Sequence, residues 1–177
     1  MKGLSGQTAS MSKGQPIDLD CGQAIALQFL ELVSVHKFEP IVKTLDFDSC
    51  KSLFTLAEQY DCSRLRHPIR NQLVQTARSE ETSWDLLKFG SVKEDWGLGR
   101  YALRQMSAQH VASLIKSVSG FHDLLCKLRP EWYLTLSSLL LDKTYEHHGY
   151  QITTMDWAIL ASKFIKPGCV NDTATVL

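Results

Sequence analysis

Apolar residues recur every three or four positions along most of this 177-residue chain, the spacing that places them on one face of a helix. The pattern is clearest from Leu45 to Leu73, in LDFDSCKSLFTLAEQYDCSRLRHPIRNQL, which reads as two helices with a short joint at Asp61-Cys62. The first half sets Phe47, Cys50, Leu53, Phe54, Ala57 and Tyr60 on one face, and the second does the same with Leu65, Ile69, Leu73 and Ala77. Asp46 is suited to cap the first helix, because its short carboxylate accepts from an orphan backbone N–H and favours the positive end of the dipole. Ser63 is the expected cap of the second. Pro68 falls about one turn inside it, where its ring crowds the preceding turn and donates nothing. A kink is expected there, or a helix that begins near His67.

The same spacing extends in both directions. Ile17 and Leu19 alternate with aspartates in Pro16–Asp20 and predict a short strand. Ile25, Phe29, Leu32 and Val33 predict a helix over Gly22–Val35, with Leu27 and Leu30 widening its apolar face. Pro40 breaks the pattern between His36 and Lys43. Downstream, Ser79–Thr82 reads as a loop, and Ser83 as the cap of a short helix through Phe89. Gly90–Glu94 reads as a joint and Asp95 as the cap of Trp96–Met106. Val111, Leu114, Ile115 and Val118 mark a helix over Ala108–Val118, which Ser119-Gly120 separates from the apolar segment at Phe121, Leu124, Leu125 and Leu128. Pro130 suits the first position of a helix over Glu131–Glu146, since its missing N–H would be unpaired there anyway. Thr154 is the expected cap of Met155–Ile165, which Pro167-Gly168 stops. The fold class is therefore mainly α: eight or nine helices in stacked hairpins, with one N-terminal strand. No period of repeating units emerges, so a regular solenoid is not expected.

Composition narrows the function. Nineteen basic and nineteen acidic residues cancel, which argues against a nucleic-acid surface. No apolar run is long enough to span a membrane. MKGLSGQTASMSKGQ lacks the apolar core of a secretion signal and has the composition of a disordered tail. Five cysteines (Cys21, Cys50, Cys62, Cys126 and Cys169) form no C-x-x-C pair. Without a secretion signal they read as reduced thiols of a cytoplasmic or nuclear protein. Cys50, on an apolar face, reads as a small core residue.

No cluster proposes chemistry strongly. His147 and His148 are adjacent, so on a helix they point about 100° apart and do not chelate one ion. Cys62 beside Asp61, with His67 about one turn on, reads as a thiol with a base, and no oxyanion element completes it. Arg64, Arg66, His67 and Arg70 make the densest basic cluster. It lies near Glu58, Asp61, Glu80 and Glu81, and no aromatics interleave with it as single-strand binding would require. Trp84, Trp96, Trp132 and Trp157 are expected mainly in the core. No nucleotide-binding, hydrolase or zinc-protease motif is present. A non-enzymatic protein without cofactor or metal is the expectation.

The order of these elements resembles the C-terminal half of a BTB/POZ domain and the helices that follow it. In that family a short acidic strand leads into a helix, then into a hairpin with the pattern L-x-x-A-x-x-Y-x-x-x-x-L. Here the strand would be Ile17–Asp20, the helix Ala24–Val35, and the pattern Leu53, Leu56 or Ala57, Tyr60 and Leu65 in LFTLAEQYDCSRL. WDLLKFGSVKEDWGLGRYALRQM is similar to the helical hairpin after the domain in fungal BTB proteins, with Trp84 at a helix start, Gly90 at the joint, and Leu98, Ala102 and Leu103 beyond. The resemblance covers residues 15–106. The family's N-terminal half has no counterpart, and LVSVHKFE departs from the aromatic-rich end usual for the first helix.

The resemblance implies residues 1–14 as a tail, 15–78 as the partial BTB-like part, 79–168 as a helical extension and 169–177 as a loose tail. It implies a protein–protein adaptor or scaffold, with a cullin of a ubiquitin ligase or another BTB chain as partner; the balanced charge and the lack of a long apolar run argue against nucleic acid and membrane. The matching surface lies around Phe47–Tyr60 and the joint to Leu65. Phe47, Lys51, Phe54, Glu58, Tyr60, Arg64, Arg66 and Arg70 are its candidate residues. Because the family dimerises through its N-terminal half, a homodimer is not implied. A self-contained helical scaffold of other ancestry and a thiol enzyme using Cys62 and His67 are the alternatives. They separate on one feature. A BTB-like part should leave an apolar face beside the Gly22–Val35 helix open, whereas a self-contained scaffold should bury it.

Overall fold

The computed structural model describes residues 22–106, 118–145 and 156–168. Nine helices account for about three quarters of them: α1 Gln23–Ser34, α2 Glu39–Val42, α3 Phe47–Gln59, α4 Ser63–Thr76, α5 Glu80–Lys93, α6 Trp96–Gln105, α7 Val118–Leu125, α8 Pro130–Tyr145 and α9 Trp157–Lys163. The mainly-α fold class is what the apolar periodicity predicts. The expected strand Ile17–Asp20, most of Ala108–Val118, the pair His147-His148 and both tails lie outside the described residues.

Two antiparallel hairpins, α3/α4 and α5/α6, form the centre. α1 lies on α3, α2 on α4, and α9 on α6 and α8. Both hairpins turn in the same way. After α3, Asp61 takes a left-handed φ of 49°; its N–H donates to Glu58 O at 3.1 Å and the next N–H, of Cys62, to Ala57 O at 2.8 Å. After α5, Glu94 takes φ 55°, donating to Ser91 O at 3.2 Å, and Asp95 N donates to Gly90 O at 2.9 Å. These paired bonds satisfy the last carbonyls of each helix, a Schellman ending built here without glycine.

Side-chain caps begin α3, α5, α6 and α9. Asp46 accepts from Ser49 N at 2.7 Å and Asp95 from Leu98 N at 3.0 Å, as expected. Several expectations are corrected. Ser63 is the first helical residue of α4 rather than its cap, and Cys62, in the cap position, supplies no side-chain bond. α4 continues through Pro68 from Ser63 to Thr76. Ser79–Thr82 is not a loop: Ser79 and Thr82 cap each other reciprocally, so α5 begins at Glu80 and incorporates Ser83. Gly90 is inside α5 rather than at a joint. A Cβ there would lie 3.2 Å from Asp95 O, Gly99 N and Leu98 Cβ, so the glycine permits the close approach of α6. Pro40 sits in the first turn of α2, where a missing N–H is harmless, so His36–Lys43 contains a short helix. α7 runs through Ser119-Gly120. Asp156 caps α9, accepting from Ala158 N and Ile159 N at 2.9 and 3.2 Å, while the expected cap Thr154 lies outside the described residues.

One continuous apolar cluster joins all the described parts, from Phe29 and Leu32 of α1 to Leu160 and Phe164 at the end of α9. Its C-terminal pole is aromatic. Trp96, Trp132 and Phe164 stack with centroids 4.7–5.1 Å apart, at angles from 34° to 73°. Trp84, Trp132 and Trp157 are buried, as their spacing predicts, and Trp96 is packed against the same core.

Candidate functional site

α1 buries Phe29 and Leu32 against the hairpin, and among the described residues no helix packs on the opposite side. Leu27, Leu30 and Val33 are 59, 56 and 41% exposed. At spacings of three residues they form one strip along the helix. Large apolar side chains at these exposures are ordinary when scattered, and informative when contiguous.

The strip ends at the joint between α3 and α4. Val33 also lines a pocket of about 260 Å³ with Asp61, Cys62, Ser63, Arg64 and Leu65. Arg64 holds this corner together. Its Nη2 donates to the carbonyls of Leu32, Val33 and Val35 at 3.3, 3.2 and 2.6 Å, and its guanidinium lies 5.2 Å from the Phe38 ring centroid. The last carbonyls of a helix have no donor within it, and a cation is favoured there. Arg64 thus supplies α1 with its C-terminal cap and fixes the exposed strip relative to α4.

The candidate partner residues are largely engaged within the chain. Phe47 and Phe54 are buried in the core rather than presented on a surface, and Phe54 meets Phe89 of α5 edge-on at 5.9 Å. Tyr60 packs on Phe29 at 5.8 Å. Lys51 pairs with Asp48 at 2.7 Å and lies over the Phe47 ring. Glu58 pairs with Lys93 at 2.8 Å, linking the two hairpins. Arg66 bonds Asp61 at 3.0 Å across the left-handed joint. Arg70 forms a two-pronged pair with Asp95, Nε to Oδ2 at 2.6 Å and Nη2 to Oδ1 at 2.9 Å. The basic cluster is thus distributed over three separate structural ties: to α1, to the α3–α4 joint and to the start of α6. The physical reason is that α4 lies between all three, and its arginines point outward at different angles.

Asp95 carries two duties, capping α6 and receiving Arg70. Burial alone pushes its carboxyl up. The Arg70 hydrogen bonds, the Leu98 N–H, the Arg70 charge and the Gly97 N–H together outweigh that and hold it below the usual carboxylate value. The hydrogen bond to Asp95 in turn raises Arg70.

Cys62 and His67 are not in hydrogen-bond contact. The Cys62 thiol meets Tyr60 O at 3.7 Å, and the His67 ring nitrogen Nδ1 pairs with Asn71 Nδ2 at 3.3 Å. Cys62 lines the pocket and His67 does not. Cys50 is fully buried, as expected, and burial, with the nearby Asp46 charge, pushes its thiol up to about 12. Among the described residues no helix is long and apolar enough to cross a membrane, and no group of three or more metal-ligating side chains converges.

In the sequence Leu27 and Leu30 only widen the α1 face and Val33 belongs to the face itself; the exposure of all three depends on which side of α1 meets α3. No protein-family model, no curated protein and no solved structure matches this chain.

Proposed function

We propose that this chain is a non-enzymatic protein–protein interaction module, and that a partner seats along the Leu27–Leu30–Val33 strip of α1 into the pocket at the α3–α4 joint. The observation that carries this reading is the exposure of those three side chains, at 59, 56 and 41%. A face left open beside the first helix is what the resemblance to the C-terminal half of a BTB/POZ domain implies, because the other half of such a domain would pack there. A strip of this kind fits a partner contributing an apolar surface, with Arg64 and Asp61 as polar rim. The finer proposal is an adaptor or scaffold whose partner is another BTB chain or a cullin. Arg64 and Arg66 are the most exposed of the candidate residues that the resemblance points to for the latter.

The test is the solution mass of the purified chain by light scattering over a range of concentrations, beside the double variant Leu27→Lys/Leu30→Lys. The expected result is a wild type that self-associates in proportion to concentration, and a variant of equal helicity that is monomeric. A wild type that stays monomeric beside a variant that unfolds at a lower temperature overturns the reading, because the strip is then covered within the chain itself.

A further inference from the structure

We propose that His122 and Cys126 form a two-ligand chelate for an exchangeable transition-metal ion of the Zn²⁺ class. The two residues are four apart at the end of α7. Cys126 N donates to His122 O at 2.9 Å, so the helical turn carries on past Leu125 and stacks the two side chains on one face. Cys126 Sγ and His122 Nε2 are 3.5 Å apart, and both side chains are exposed. An ion about 2.3 Å from sulfur and about 2.05 Å from nitrogen, with a tetrahedral angle between them, needs its two ligands about 3.6 Å apart. The pair already has that separation. The His122 ring is also held: it stands edge-on to Tyr133 of α8, with centroids 5.9 Å apart and planes at 76°.

In the metal-free protein a proton occupies the space between sulfur and nitrogen. Binding replaces it, and the thiol proton leaves to solvent, because only the thiolate ligates. Thiolate with imidazole favours zinc and its neighbours over magnesium or calcium. Among the described residues no third ligating side chain joins the pair. A two-ligand chelate leaves the ion's remaining coordination positions to water or to a further donor, the arrangement of an exchangeable ion rather than a closed four-ligand site. The other described cysteines lack these features. Cys50 is fully buried, and Cys62 faces a carbonyl oxygen.

Titration of the purified, reduced chain with Co²⁺ tests this, read by the near-ultraviolet absorption of a cobalt–thiolate bond. The wild type should develop the band and lose it on addition of Zn²⁺. Cys126→Ser should abolish the band, and His122→Ala should weaken Co²⁺ affinity by about tenfold or more. Both positions are exposed, and unchanged far-ultraviolet circular dichroism would show that the variants fold. Three results overturn the proposal: no band in the wild type, a band that persists in Cys126→Ser, or full affinity in His122→Ala, which would mean a single thiolate ligand.

Discussion

At the scale of single residues, the tightest constraints lie where α6 meets its neighbours. Gly99 is buried against Trp132 and Phe164, and a Cβ there would overlap the Trp132 ring and come within 3.0 Å of Phe164 Cε1. Gly99→Ala is expected to destabilise the chain by about 1–3 kcal/mol, the range of an overpacked core, measured as a shift in the urea midpoint. Asp95 makes a second prediction. Its folded carboxyl is held below the ordinary value of 3.8, so it contributes stability that is complete above that value and is lost as pH falls toward the folded one. Asp46 is lowered in the same sense, chiefly by the Ser49 N–H. Unfolding measured from pH 6 to pH 2 should show stability falling below about pH 4. Arg70→Ala should flatten part of that slope and cost about 2 kcal/mol at neutral pH, as the loss of charged hydrogen bonds at a half-buried site. An unchanged pH profile in Arg70→Ala would show that the cap alone sets the Asp95 carboxyl.

At the scale of elements, both hairpins place an acidic residue in a left-handed conformation that glycine adopts without cost. Asp61→Gly and Glu94→Gly should each raise stability by up to about 1 kcal/mol. Each loses an exposed ion pair, Asp61 with Arg66 and Glu94 with Arg129, and such pairs contribute little. A fall in melting temperature in either variant would mean that its ion pair outweighs backbone strain. Ser79→Ala removes half of the reciprocal cap of α5 and should cost about 1 kcal/mol in thermal or urea unfolding. These turns also mark where the sequence was and was not legible. Asp46 and Asp95 were readable as caps because a short acceptor precedes an apolar stripe. The start of α5 was missed because its cap uses threonine in place of the usual glutamate or glutamine. Gly90 was misread as a joint because helix-breaking composition and close helix packing leave the same residue in the sequence.

At the scale of the whole molecule, the two hairpins are tied by the Glu58–Lys93 and Arg70–Asp95 pairs, by Phe54 on Phe89, and by a single apolar cluster. The described helices should therefore unfold together. Far-ultraviolet dichroism reports all helices, and tryptophan fluorescence reports Trp84 of α5 together with Trp96, Trp132 and Trp157 of α6, α8 and α9. Their transitions should coincide, and a separated fluorescence transition would show that α8 and α9 melt independently.

Legible in the sequence alone were the helical class, the position of most helices, and the core placement of Cys50 and of most of the tryptophans. Local spacing and capping are short-range physics, complete within a few residues of chain. Only the tertiary structure decided what the polar and exposed residues do. It spread Arg64, Arg66 and Arg70 over three internal ties, and it turned Leu27, Leu30 and Val33 outward. It also set His122 beside Tyr133. Apart from the local Arg66–Asp61 bond, each of these depends on which helix faces which, a choice made by packing between residues apart in sequence that no local pattern records.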